Sequence, residues 1–262
     1  MDNGSLQPAA TVALRALAAA LAARLGQDVA AVSLLHSSGI DANLLGGRAA
    51  EIMRPALERR LETGQRDFVI VPLFFGPSRA LTDYVPEILV RLREKHPALR
   101  VRAAPPLYAA GDDRLARILA DQTLAALDAA GGERVVLVDH GSPVAAVTAV
   151  RDELARQLAA RLGPRVAAVA PASMERRPEP AYDFCAPLLA DLLATPPWSE
   201  SRVVIAMQFL LPGRHAGPQG DIADICRNAQ AAHPGLRPKV TGLVGEHPLL
   251  LEILADRWRV AE

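Results

Sequence analysis

Two histidines and one glutamate in the second half of the chain each follow a predicted apolar strand. His140 comes directly after the apolar stretch 134–139, Glu175 follows a second apolar stretch, and His215 closes the segment 209–215 (FLLPGRH). Ligands of open parallel sheets bind beyond the carboxyl ends of the strands, so we expect these side chains to meet at one edge. Imidazoles and a carboxylate suit a divalent iron, cobalt, nickel or zinc ion, and no thiolate is present to hold the metal permanently.

Each histidine also has a purely structural explanation. A histidine at the end of a strand often only caps its loop, and motif matches are hypotheses until the structural context confirms them.

The sequence repeats itself at an offset of 137 residues, so its two halves can be compared with each other. The sequence LAARLG, for example, occurs at 21–26 and again at 158–163. A domain-sized repeat predicts a tandem duplication. We expect one domain over 1–130 and a second over 131–262, joined near 129–133.

The two halves differ at the positions that could do chemistry. If the histidines and the glutamate merely supported the fold, the first half should need the same residues. A shared chemical role in the second half is therefore favoured, and the first half is expected to carry a degenerate site. The aligned pairs are Asn3 with His140, Ser38 with Glu175, and Ala80 with His215.

Short apolar runs alternate with helical patterns in each half, which is typical of a parallel sheet flanked by helices. We therefore expect an α/β protein with two flavodoxin-like domains, each built on a four-stranded parallel sheet. Met1 aligns with Val138, so the first half lacks most of its opening strand, and we expect coding sequence upstream of Met1. In the second half, strands are predicted near 134–139, 165–170, 202–208 and 237–241, and helices near 144–162, 180–194, 220–232 and 247–259.

Composition excludes several classes of function. Lysine and arginine total 29 and aspartate and glutamate total 29, so the overall charge does not favour a nucleic-acid partner. Cys185 and Cys226 form no CxxC pair, which argues against a disulfide scaffold or a zinc–thiolate site. The apolar stretch 12–25 contains Arg15 and Arg24 and is too short to span a bilayer, so we expect a cytoplasmic protein without a membrane anchor.

Arginines accompany the candidate residues. Arg176 follows Glu175, and Arg214 precedes His215. Arginine pairs bidentately with carboxylates, which predicts a ligand that carries several carboxylates, although a solvated surface role explains any one arginine equally well. No phosphate-binding sequence of the form GxxxxGK[ST] is present, so we expect no use of ATP.

Four motifs together resemble the sirohydrochlorin cobaltochelatase and ferrochelatase family of ATP-independent (class II) tetrapyrrole chelatases, in its long two-domain form. They are HGS at 140–142, SME at 173–175, FLLPGRH at 209–215 and LVGEHP at 243–248. The resemblance implies chelatase-like domains that insert a divalent metal, Co²⁺ in preference to Fe²⁺, into a polycarboxylate tetrapyrrole on the way to cobalamin or sirohaem. The metal is a substrate, and no organic cofactor is implied.

The resemblance also assigns roles to residues. His140, His215 and Glu175 are the implied catalytic residues and the implied metal ligands, and Ser142, Arg176 and Arg214 are expected to contact the tetrapyrrole. A non-catalytic carrier of metal or tetrapyrrole in the same cleft remains the alternative. A histidine phosphatase is disfavoured, because Asp139 precedes His140 and would repel phosphate. The oligomeric state is not predicted.

Overall fold

The computed structural model describes residues 1–128 and 131–262. It divides into two compact units: unit 1 is Met1–Ala110 together with Leu251–Glu262, and unit 2 is Gly111–Leu250. The join predicted near 129–133 includes Ala129 and Ala130, which lie outside the described residues.

Unit 1 contains parallel strands, but they do not form the predicted four-stranded sheet. One parallel pair is β1 with β2, and the other is β3 with β4. Between the two strand pairs the chain supplies only Met1 and Asp2. Asp2 N donates to Val32 O (3.2 Å), and the Met1 amino group donates to Val71 O (2.8 Å). The expected sheet is therefore interrupted at its centre. The elements are α1 (Pro8–Leu25), β1 (Val32–Ser33), β2 (Glu51–Ile52), α2 (Met53–Glu62), β3 (Asp67–Ile70), α3 (Val85–Lys95) and β4 (Arg100–Ala103).

Unit 2 has the predicted four-stranded parallel sheet, in the order β6-β5-β7-β8. The central strand β5 reads RVVLVD, and its apolar residues 135–138 are fully buried because helices cover both faces of a parallel sheet. The elements of unit 2 are α4 (Arg114–Ala126), β5 (Arg134–Asp139), α5 (Ala145–Leu162), β6 (Ala168–Ser173), α6 (Leu189–Leu193), β7 (Arg202–Met207), α7 (Asp221–Ala232) and β8 (Arg237–Val240). The last helix, α8 (Leu249–Ala261), has only its first two residues in unit 2.

Helix α5 follows the predicted pattern, and the helix predicted over 180–194 does not. Leu154, Leu158 and Leu162 of α5 are buried on one face, and Gly163 ends the helix. Over 180–194 the chain forms a 3₁₀ segment, Pro180–Cys185, and then the short α6. Pro187 lies between them, and proline has no N–H to continue a helical hydrogen-bond pattern.

The predicted domain boundary assigned two helices differently from the structure. Helix α4 belongs to unit 2, where Gln122 Nε2 donates to Leu243 O at 2.6 Å. Most of α8 belongs to unit 1, where the buried Arg257 donates to the carbonyls of Pro106 (3.1 Å) and Leu107 (2.7 Å). The sequence repeat aligns these two helices with each other, but it carries no information on which core each one completes.

Helix α1 is longer than the apolar stretch considered in the sequence. Its 18 residues make it long and apolar enough to cross a membrane, and it is the one such helix in the part of the chain that the structure describes. This is weak evidence, because a core helix of a globular protein passes the same test. Leu14, Ala18 and Leu21 of α1 are buried within unit 1.

Candidate functional site

The loops that follow β5 and β6 are held together by their backbones. Glu175 N donates to His140 O at 3.1 Å, and Gly141 adopts φ 92°. A Cβ at Gly141 would lie 1.9 Å from Glu175 O, so only glycine fits there. This contact places the neighbouring side chains together, with His140 Nε2 3.4 Å from Glu175 Oε1.

The loop between β7 and α7 is braced at both ends. Gly245 N donates to Leu210 O at 3.0 Å near its start, and Ile222 N donates to His215 O at 3.2 Å near its end. Gly220 allows a close approach, because a Cβ there would lie 2.7 Å from His215 O. These contacts describe a fixed turn that holds His215 in place.

The structure brings the candidate side chains together within unit 2. The imidazole rings of His140 and His215 have centroids 4.7 Å apart and meet edge to face at 71°. Their side chains are 47% and 32% exposed, and that of Glu175 is 61% exposed. The three groups therefore form one cluster that a ligand can reach from solvent.

Asp221, which the sequence analysis did not select, orients His215. Its Oδ2 lies 2.5 Å from His215 Nδ1 and 3.7 Å from Arg214 Nε. When Nδ1 carries the proton and donates it to this carboxylate, the lone pair of Nε2 is free for a metal or a proton. The sequence feature that could have identified Asp221 is an acidic residue at the start of the helix that follows His215.

The candidate ligands are close together, but they do not form a finished metal site. In the described parts of the chain, no three His, Cys, Asp or Glu side chains are assembled to hold a metal ion. His140 and Glu175 contact each other, and His140 Nδ1 lies 2.9 Å from Gly141 O. The 3.4 Å between His140 Nε2 and Glu175 Oε1 is close to the separation of two ligand atoms on one metal ion, since bonds of about 2.0–2.2 Å place neighbouring ligands about 3 Å apart.

A buried polar network lies beneath the loop that carries His140. Asp139 accepts hydrogen bonds from Ser173 Oγ (2.7 Å) and Gly141 N (3.1 Å). Arg151, which is 1% exposed, donates to Ser173 Oγ at 2.6 Å and to Cys185 O at 2.8 Å. Burial raises the pKa of Asp139, and the Ser173 hydrogen bond opposes that change. The network fixes the carboxyl ends of β5 and β6 and thereby the loops that hold the site.

The three residues predicted to contact substrate have different surroundings. Ser142 Oγ accepts a hydrogen bond from Val144 N at 3.1 Å and so holds the loop before α5. Arg176 is bound to Asp183, with Nη1 and Oδ1 2.8 Å apart. Arg214 has a side chain that is 78% exposed beside His215. Of these three, Arg214 is the best placed to meet a negatively charged ligand.

Unit 1 repeats the loop geometry without the chemical groups. Leu35 N donates to Asn3 O at 3.0 Å, and a Cβ at Gly4 would lie 1.7 Å from Leu35 O. These contacts match those between Glu175 and the loop of His140 and Gly141. Leu35, and not Ser38, therefore occupies the place of Glu175, because the second loop is three residues out of the register that the sequence alignment gave.

Comparison with solved structures defines the class of fold. The chain is similar to SirB from Bacillus subtilis with Fe³⁺, at 17% identity and a TM-score of 0.71 over 99% of this chain and 92% of that one. It is equally similar to SirB from Bacillus subtilis subspecies spizizenii in complex with cobalt (18%, 0.71, 99% and 92%). It is also similar to CbiX, described as the terminal enzyme for biosynthesis of siroheme in denitrifying bacteria (20%, 0.59, 100% and 97%). The fold is thus the parallel α/β fold of these chelatases.

A family model named CbiX matches residues 134–261, which contain all the candidate residues. This segment therefore resembles the CbiX family. A comparison with curated proteins finds no match.

Proposed function

We propose that the protein inserts a divalent metal, Co²⁺ in preference to Fe²⁺, into sirohydrochlorin or a related precorrin without ATP, in cobalamin or sirohaem biosynthesis. The observation that carries the proposal is the contact of two accessible imidazoles with a carboxylate beside them, at the carboxyl ends of parallel strands. The CbiX match over 134–261 and the iron- and cobalt-bound SirB structures of the same fold support it.

Metal insertion delivers a dication and releases two pyrrole protons, so it needs weak metal ligands next to proton acceptors. We assign the metal to His140, His215 and Glu175, with His215 oriented by Asp221 so that Nε2 faces the metal. Once the metal has moved into the macrocycle, the imidazoles and the carboxylate that had held it accept the protons. Positioned general bases contribute about 10²–10⁴-fold to such steps.

The macrocycle would be bound through its carboxylates. We assign the main contact to Arg214, whose guanidinium is exposed beside His215. Arg176 contributes when a substrate carboxylate replaces Asp183 as its partner, and Ser142 acts by holding the loop next to His140. Binding energy from these distant groups helps to bend the ring toward the geometry of metal insertion, at a cost of about 1–5 kcal/mol.

The two units are, in this proposal, tandem copies of one chelatase-like domain. The matching backbone contacts of Gly4 with Leu35 and of Gly141 with Glu175 support common descent. Unit 1 has lost the reactive groups and serves as a degenerate partner. The proposed place of action is the cytoplasm, with no resident organic cofactor.

Turnover distinguishes a chelatase from a carrier. Purified protein mixed with excess sirohydrochlorin and Co²⁺ or Fe²⁺, without ATP, is expected to form metallated product in many-fold excess over protein. The change in the absorption spectrum of the macrocycle follows the reaction, and the same mixture without protein gives the background rate. Product limited to one equivalent per protein would instead show a carrier.

Replacing Asp221 by asparagine is expected to lower turnover about 10–100-fold, because outer-sphere partners of metal-binding histidines contribute that much. The asparagine amide can donate to Nδ1 of His215, which places the ring proton on Nε2 and removes the free lone pair. Nitrogen chemical shifts of the imidazole report this change of tautomer. The matched control is Asp224→Asn on the same helix, where Asp224 pairs with Arg227. Equal turnover in the two variants would remove Asp221 from the mechanism.

A further inference from the structure

The loop after β8 contains the motif LVGEHP at 243–248, which the proposed chemistry does not use. Its backbone holds the start of the loop between β7 and α7. Val244 N donates to Phe209 O at 2.9 Å, and Gly245 N donates to Leu210 O at 3.0 Å. A Cβ at Gly245 would lie 2.0 Å from Leu210 O, so the two loops cross in direct contact. The position of the β7–α7 loop therefore depends on the loop after β8.

Helix α4 holds the loop after β8 at both ends. Gln122 Nε2 donates to Leu243 O at 2.6 Å, and the preceding residue, Asp121, has Oδ2 3.4 Å from His247 Nε2. His247 Nδ1 accepts a hydrogen bond from Leu249 N at 3.2 Å, so the proton of the neutral imidazole lies on Nε2 and faces Asp121. Two consecutive residues of α4 thus fix the beginning and the end of this loop.

Unit 1 has the same arrangement at equivalent positions. The sequence ILAD directly precedes both Gln122 in α4 and Arg257 in α8. Arg257 donates to the carbonyls of Pro106 (3.1 Å) and Leu107 (2.7 Å), and Leu107 N donates to Phe74 O at 2.8 Å. In each unit, a donor at the same position of a helix holds the loop after the last strand. That loop in turn holds the loop after the strand before it.

The two donors share only one chemical property. The guanidinium of Arg257 has N–H donors and no acceptor, whereas the amide of Gln122 has both. Gln122 Oε1 is buried, and it has no hydrogen-bond partner among the residues that the structure describes. A buried acceptor without a partner costs stability, so the useful interaction at this position is donation to the loop carbonyl.

We infer that Gln122 is a positioning residue for His215 and acts through the two crossing loops at 243–248 and 209–215. Donation to Leu243 O fixes the first loop, and the first loop fixes the second, which ends at the imidazole. The inference rests on the proposed function, in which His215 holds the metal. It extends the site to a helix that has no residue among the candidate ligands.

The test compares variants of Gln122 that differ in the donor. Gln122→Met removes the donor at nearly constant size, and Gln122→Arg supplies the donor that unit 1 uses. In Gln122→Met, hydrogen exchange at the amides of Val244 and Gly245 is expected to speed up about 3–30-fold, and the imidazole nitrogen signals of His215 are expected to shift. Co²⁺ alone, followed by its visible absorption, is expected to bind about 3–30-fold more weakly. Gln122→Arg should match the parent in all three measurements.

The matched control is Arg257→Met, which removes the equivalent donor in unit 1. It is expected to lower the midpoint of thermal unfolding, because Arg257 makes two hydrogen bonds in the core of unit 1. It should leave the exchange at Val244 and Gly245, the signals of His215 and the affinity for Co²⁺ unchanged. A general loss of stability would not give this difference between the two methionine variants.

Two results would overturn the inference. One is a folded Gln122→Met protein with the parent's exchange rates and His215 signals, and the other is a Gln122→Arg protein as impaired as Gln122→Met. Gln122→Asn, whose amide is one carbon too short to reach Leu243 O, makes the same comparison if the methionine variant does not fold. Exchange and imidazole signals need neither metal nor macrocycle. Absence of Co²⁺ binding and turnover in the parent would therefore overturn the proposed function, while these two measurements still decide whether Gln122 positions His215.

Discussion

Replacing His215 by alanine is expected to lower the rate of metal insertion by about 10²–10⁴-fold, the usual contribution of a positioned acid–base group. The imidazole lies edge to face against His140, and Asp221 holds it through Nδ1. Its loss removes both a metal ligand and a proton acceptor. The fold should survive, because the side chain is a third exposed and lies outside the buried core. Initial rates of product formation with Co²⁺ measure the effect.

The control for His215→Ala is His233→Ala. His233 follows the last turn of α7 as its C-terminal cap and has no part in the proposed site. Its replacement should leave turnover per folded protein unchanged. Normal turnover in His215→Ala, with circular dichroism identical to that of the parent, would show that the chemistry lies elsewhere.

Alanine in place of Gly141 is expected to damage both the fold and the site. The residue adopts φ 92°, and a Cβ would lie 1.9 Å from Glu175 O, so the two crossing loops must separate. The backbone strain alone costs about 1–3 kcal/mol in the free energy of unfolding. Displacing His140 and Glu175 by even about 1 Å should lower turnover about 100-fold. Urea unfolding and initial rates measure the two effects.

Variants of two glycines in unit 1 distinguish the effect on stability from the effect on the site. Gly4→Ala introduces the same conflict, with its Cβ 1.7 Å from Leu35 O, but far in sequence from the reactive groups. It should lower stability and leave turnover per folded protein intact. Gly26→Ala places a Cβ at φ 65° with no atom within 4 Å, and so measures backbone strain without a clash. If Gly4→Ala and Gly141→Ala reduce turnover equally, the loss reflects unfolding and not the site.

The meeting of the candidate residues was predictable because it depends on local pattern and sheet topology. A continuous apolar run such as 135–138 is typical of a strand buried on both faces of a parallel sheet, and loops after neighbouring strands share one edge. His140 and His215 were found in this way, and they do meet. The sequence also showed that unit 1 lacks a glutamate at the corresponding site. The residue that the alignment placed there is three positions away from the one that the structure places there.

The unpredicted features depend on contacts between segments distant in sequence. Arg151 lies on the face of α5 that also carries buried leucines, and only the structure shows that it reaches Ser173. Asp221 was not selected because a helix that begins with an acidic residue is common and needs no partner to explain it. The grouping of α4 with unit 2 and of most of α8 with unit 1 was not predicted, because aligned helices have similar apolar faces and sequence alone does not say which core buries them.

The assignment of α8 to unit 1 affects how the protein is made. Residues 251–262 are translated after the whole of unit 2, yet Arg257 from this stretch supplies buried hydrogen bonds to carbonyls at 106 and 107. Unit 1, most of which precedes unit 2 in the chain, therefore cannot complete its core until residues 251–262 have been made. The unit translated in between, Gly111–Leu250, has all its parts before then, so the later part of the polypeptide can mature ahead of the earlier part.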